Sequence, residues 1–159
     1  MTRRTVLGFL VPALVVLHFL FHVGFSIQGW APDLLVLALL LAAREVGMGA
    51  GGALGFTFGL LEDAFSWLAF GASALSMTLI GVLGSRTREL FVGDSPLFFF
   101  AYLTLGKFLK DLIYWLVAAS SVKGPFLETV VLHGGLGALY VALVGLGLVS
   151  LFGGFRSLS

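Results

Sequence analysis

Residues 33–63 read DLLVLALLLAAREVGMGAGGALGFTFGLLED, and the fold turns on whether they form one helix or two. Leu34 to Ala43 is an uncharged run of ten residues; Arg44-Glu45 interrupts it, and a second uncharged run follows from Val46 to Leu61. A helix needs about 20 apolar residues to cross a ~30 Å hydrocarbon layer. The stretch is therefore one long span or a pair of short ones. Positive charge separates the two readings, because Lys and Arg concentrate on the cytoplasmic side of membrane proteins. With a cytoplasmic N-terminus and two short helices, Arg3, Arg4, Arg44, Arg86, Arg88 and Arg156 fall inside, and only Lys123 falls outside. Merging the pair leaves Arg3, Arg4 and Lys123 inside and puts Arg86, Arg88 and Arg156 outside. The paired reading gives the stronger bias.

Working outward, uncharged runs place spans at about 5–27, 33–43, 46–61, 65–85, 96–120 and 129–153. The expectation is an all-α membrane protein of six transmembrane helices, with both termini cytoplasmic, forming one integral membrane domain over 1–159. Arg3 and Arg4 before a long apolar run suggest a signal peptide. That run is too long for a cleaved segment and no Ala-x-Ala site follows it, so the first helix reads as retained. Asp33, Glu62, Asp63 and Glu128 then lie outside, and Trp30, Trp67 and Trp115 sit near outer helix ends, as an aromatic belt requires. The second helix is too short to cross unaided, so its neighbours must shelter it or the bilayer must thin. Pro32-Asp33 and Asp94-Ser95-Pro96 are helix starts, and Lys123-Gly124-Pro125 is a stop and turn.

Composition supports this class. Hydrophobic residues make up 59% of the 159 and charged residues 11%, with a mean hydropathy of +1.09. Ordinary soluble domains hold about 45–50% and about 25%. These values argue against a cytosolic enzyme, a disordered tail and a nucleic-acid-binding domain. A net charge of +1 offers no basic stripe for phosphates. With no cysteine there is no disulfide, thiolate nucleophile or Cys-ligated metal.

Four features stand out. Gly47, Gly51, Gly55 and Gly59 recur every four residues, so they share one face where two backbones can approach. That face either packs within the bundle or offers a groove to a partner's transmembrane helix. Gly134, Gly137 and Gly145 form a looser set in the sixth helix. Lys107, Lys110 and Asp111 fall near the middle of the fifth helix, where each charge costs about 2.5–3.5 kcal/mol on insertion scales. Lys107 and Asp111 can pair at i,i+4. Lys110 then needs an acid on another helix or must snorkel. The three form a structural ion cluster, a partner-binding patch, or a substrate or proton path. Glu62-Asp63 is a solvated helix end, or else Asp63 turns inward and orders the loop before Gly71. His18 and His22 share a face of the first helix, with His133 in the sixth. No H-E-x-x-H accompanies them, so polar contacts between helices are expected and no metal site. No nucleophile elbow, P-loop or dinucleotide fingerprint is present, and no enzymatic activity or cofactor is expected.

Three stretches together resemble the rod-shape-determining membrane protein family MreD. They are Ala31-Pro32-Asp33 with the following LLVL, GGALGFTFGLLED over 51–63, and FGASALSMTLIG over 70–81. The family pattern has R-P-D-L or R-P-N-x at the start of helix two, then G-x-x-x-G-F-x-x-G-x-x-x-D, then a short loop with L-G. Pro32, Asp33, Asp63 and Gly71 match it. Ala31 stands where Arg is common, Phe70 where Leu is typical, and Lys107 and Lys110 are unusual company for Asp111, at a position where family members often carry an acid. The similarity spans about residues 30–90. The resemblance implies a non-enzymatic scaffold in the bacterial cytoplasmic (inner) membrane. Such a scaffold binds the transmembrane helix of MreC within the cell-elongation complex (the elongasome). Through that complex it is linked to MreB filaments, the RodA glycosyltransferase and its penicillin-binding transpeptidase, and so to peptidoglycan synthesis and cell shape. The family's fold is similar to the substrate-binding subunits of energy-coupling-factor transporters. That similarity implies an alternative function, a small-molecule-binding subunit of a vitamin transporter.

Overall fold

The computed structural model describes residues 3–21, 32–65, 69–90, 95–121 and 123–151. Among them every regular element is helical: α1 Arg3–Phe19, α2 Leu34–Ala43, α3 Met48–Asp63, α4 Ala72–Leu90 and α5 Pro96–Val117, then a π-helical stretch Leu127–Gly134 that runs directly into α6 Gly135–Leu151. The far end of the span expected over 5–27 lies outside the described residues, as do Trp30, Trp67, His22 and Arg156.

The stretch 33–63 is two helices. Asp33 caps the first: its Oδ1 accepts from the Val36 N–H at 3.2 Å. The chain then leaves the helix in a turn, where the N–H groups of Glu45 and Val46 donate to the carbonyls of Ala42 and Ala43. Gly47 is extended, so α3 starts at Met48 and not at residue 46. It runs on to Asp63, past the expected end at 61, because both closing acids find partners inside the bundle.

At ten residues, α2 is about 15 Å long, half the thickness of a bilayer core. Leu34 to Leu41 are all buried, and Leu35 to Leu39 are 0% exposed. A helix that is apolar on every side belongs in an interior. Here α1, α3, α4, α5 and α6 all pack against it. The Tyr102 hydroxyl of α5 donates to the Leu40 carbonyl at 2.9 Å, satisfying one of the open carbonyls at the end of α2. Arg44, expected at a cytoplasmic bend, is tucked in at 6% exposure, its guanidinium 5.4 Å from the Phe98 ring and 5.6 Å from the Tyr102 ring.

The closest pairing is α3 with α4, and the glycines of α3 make it. A Cβ on Gly51 would strike Gly81 and Ser85, one on Gly55 the Met77 carbonyl, and one on Gly59 Ser73 and Ala74. Gly47 stands outside this ladder, with nothing within 4 Å of its Cβ position. The small-residue face is therefore covered by α4. In the sixth helix Gly145 packs on Leu37 and Leu103 and Gly134 beside Asp111, while Gly137 meets nothing.

The second expected loop also shifts. Helix α4 begins at Ala72, not residue 65, because Gly71 turns the chain at φ +94°. Beyond the core the bundle is strongly apolar: Phe9, Phe70, Leu97 and Leu151 are 70–81% exposed. Among the described residues, one helical unit, Leu127–Leu151, is long and apolar enough to cross a membrane.

Candidate functional site: a charge cluster between helices

Five charged side chains from three helices meet beside the start of α2. Asp33 caps α2, Glu62 ends α3, and Lys107, Lys110 and Asp111 lie along one side of α5. Lys107 donates to both Asp111 oxygens, with Nζ 2.7 Å from Oδ2, and lies 3.3 Å from Asp33 Oδ2. Lys110 donates to Glu62 Oε1 at 2.9 Å, lies 3.6 Å from Asp33 Oδ2, and places its ammonium 5.4 Å from the Tyr114 ring. Asp33 is thus the shared centre: one oxygen caps a helix and the other faces two ammoniums. From α1, His18 accepts the Leu35 N–H at Nδ1 (3.3 Å), with Asp33 Oδ1 3.9 Å away. Gly134 closes the far side, where a Cβ would lie 3.4 Å from Asp111 Oδ2.

Lys107 and Asp111 pair as the i,i+4 spacing led one to expect. The need of Lys110 for an acid elsewhere is met twice, by Glu62 and Asp33. The sequence left Lys110 either to meet an acid on another helix or to snorkel, and it did not say which acid. Glu128 is exposed in the structure, and Asp63 is engaged elsewhere. Desolvating ions is costly, so a cluster of this kind persists only when its members are mutually matched. Three carboxylates against two ammoniums leave one negative charge in excess while His18 is neutral.

Asp63 forms a separate joint. It is 1% exposed. Its Oδ2 accepts from the N–H groups of Gly71 and Ala74, both at 2.9 Å, and its Oδ1 from that of Ser73 at 3.1 Å. A carboxylate at the end of α3 therefore caps the start of α4, where open N–H groups and the helix dipole favour negative charge. Asp63→Ala removes three charge-assisted bonds and strands buried donors. We expect a loss of about 3 kcal/mol, read as a lower unfolding midpoint in detergent and faster proteolysis between residues 64 and 71.

Trp115 and Lys123 pack together at the turn that follows α5. The indole N–H donates to the Gly124 carbonyl at 3.0 Å, and the Lys123 ammonium lies 5.0 Å from the indole and donates to the Leu116 carbonyl. His133 is exposed. Among the described residues no group of three His, Asp or Glu is placed to hold a metal.

Compared with known family models, curated proteins and solved structures, the chain gives no match.

Proposed function

We propose that the chain is a six-span scaffold of the bacterial cytoplasmic membrane, acting in the cell-elongation complex by binding the transmembrane helix of MreC. Both termini face the cytoplasm, and the protein carries no catalytic centre of its own. The observation that carries this reading is the placement of the residues behind the MreD resemblance. Asp33 joins α2 to the charge cluster, and Asp63 with Gly71 joins α3 to α4. The motif residues are thus the joints of the bundle, as a family pattern built on architecture requires. The apolar exterior supports a bilayer setting, since soluble proteins rarely expose large contiguous apolar surface.

The test is capture of the tagged full chain from its own cells in mild detergent. MreC is expected in stoichiometric amount, and depletion of the chain should turn rods into spheres. Unchanged shape on depletion, together with no recovery of MreC, refutes the reading. Gly55→Leu is unsuitable as a probe of MreC binding, because Gly55 faces α4. Substitutions on the exposed faces of α5 and α6 serve better.

A second reading, a small-molecule-binding subunit of an energy-coupling-factor-type vitamin transporter, has one observation in its favour. The cluster holds an excess carboxylate, and Glu62 Oε2 is buried with no hydrogen-bond partner among the described residues. A cationic small molecule retained through purification would favour it over the scaffold.

A further inference from the structure

Helix α1 is the outlying member of the bundle: among the described residues it packs on α2 and on no other helix. Its buried residues among the described side chains are Leu10, Leu14 and His18, one stripe spaced by four, while Phe9, Val16 and Leu20 face outward. The stripe ends on a hydrogen bond that crosses between helices. Leu35 lies in the first turn of α2, where an N–H has no partner within its own helix. Its neighbours are served locally: Leu34 donates to the Pro32 carbonyl, Val36 to Asp33 Oδ1 and Leu37 to the Asp33 carbonyl. Leu35 donates instead to His18 Nδ1 at 3.3 Å. A ring nitrogen accepts only while it carries no proton, so this contact belongs to the neutral imidazole with its hydrogen on Nε2.

A second proton on the ring reverses that contact. The Nδ1–H and the Leu35 N–H would be two donors 3.3 Å apart, and the ring must move. The charged group that faces His18 from α2 is Asp33, with Oδ1 3.9 Å from Nδ1. Asp33 Oδ2 in turn meets Lys107 and Lys110 of α5, whose other partners are Asp111 and Glu62. An imidazolium turned onto Asp33 exchanges a neutral hydrogen bond for a charge-assisted one. It also matches the three carboxylates of the cluster with three cations. Each charge state of the ring therefore has its own seat, one on the Leu35 N–H and one on the Asp33 carboxylate. We propose that His18 is a proton-operated latch on α1. The neutral ring holds α1 to the start of α2; a proton taken from water onto Nδ1 transfers the ring to Asp33 and shifts α1 against the bundle.

The test follows the full chain in mild detergent by NMR from about pH 8 to about pH 5, the range in which an imidazole ordinarily gains its proton. The ring nitrogen signals of His18 report the proton on Nδ1. Amide exchange at Leu35, each rate divided by the intrinsic rate at that pH, reports the hydrogen bond. Protection of Leu35 should fall about tenfold as the ring is protonated, as expected for the loss of one hydrogen bond. The chain has no cysteine, so spin labels at Val16→Cys and Leu143→Cys are unique. Their separation should shift by about 2 Å over the same range, the scale of a helix displacement. His18→Asn offers an amide oxygen at the same branch of the side chain and takes no proton, so it should keep Leu35 protected at both ends of the range. His22, four residues on in the sequence, lies outside the described residues, and His22→Gln should leave the response intact. A ring that is protonated while Leu35 stays protected, or a ring that stays neutral at pH 5, overturns the proposal. So does a fall in protection that persists in His18→Asn or vanishes in His22→Gln. Lost protection with an unchanged label separation means that the ring turns in place, and overturns the latch.

Discussion

Gly55→Leu is expected to leave almost no folded protein in detergent. Gly55 faces the α4 backbone: a Cβ there would lie 2.6 Å from the Met77 carbonyl carbon and 3.0 Å from the Thr78 Cα, and would overlap the Met77 carbonyl oxygen. No rotamer change relieves such a clash, because the obstacle is helix backbone. The two helices must separate, and Gly51 and Gly59 would then lose their contacts too. In a membrane, helix association depends on close van der Waals packing, since burial away from lipid gains little. Overpacking a tight core costs about 1–3 kcal/mol even for small insertions. A leucine against backbone should exceed about 3 kcal/mol. The α3 helix carries its own control. Gly49 has nothing within 4 Å of its Cβ position. Gly49→Ala should be neutral, or stabilising by up to about 1 kcal/mol through helix propensity. Monodispersity by size exclusion and the thermal midpoint in detergent check both. A Gly55→Leu protein as stable as Gly49→Ala would mean that α3 and α4 do not pack through this face.

The contrast between these two glycines marks how far the sequence could be read. Spacing placed Gly47, Gly51, Gly55 and Gly59 on one face, and three of them meet α4. Gly47 falls off the ladder because it is the extended residue before the helix. The receiving face on α4 went unread. Its small residues, Ala74, Gly81 and Ser85, are spaced by seven and four and interrupted by Met77, which contributes backbone and not side chain to the contact. Hydrophobic runs and charge bias separated α2 from α3, since those signals are local. The boundaries of α4 were not local. They depend on Gly71 turning the chain and on Asp63 eight residues earlier receiving its N–H. The same holds for the charge cluster. The Lys107–Asp111 pair lies within one helix and was legible from spacing. The Lys110–Glu62 contact joins positions 48 apart, and only the packing of α3 and α5 around α2 brings them together.

That distant contact carries the second large effect. Lys110→Met should destabilise the bundle by about 3–5 kcal/mol, because it leaves a carboxylate inside the protein without its ammonium. Glu62 would lose its only ion-pair partner among the described residues, and Asp33 and Asp111 would share Lys107 alone. Asp111→Ala is predicted to be milder than the i,i+4 pairing alone would suggest. Lys107 keeps Asp33 Oδ2 at 3.3 Å, and the change removes the excess negative charge from the cluster. The double variant Lys110→Met/Glu62→Gln separates the loss of a specific pair from a general sensitivity of α5. It removes one charge of each sign and restores the original balance among Asp33, Lys107 and Asp111. It should therefore be more stable than Lys110→Met alone, with a coupling of about 1–3 kcal/mol in the cycle. Thermal midpoints of the four proteins in one detergent give the cycle directly. If Lys110→Met melts with the parent, or if Glu62→Gln adds its own loss in full, the ammonium and the carboxylate do not depend on each other and the cluster does not tie α3 to α5.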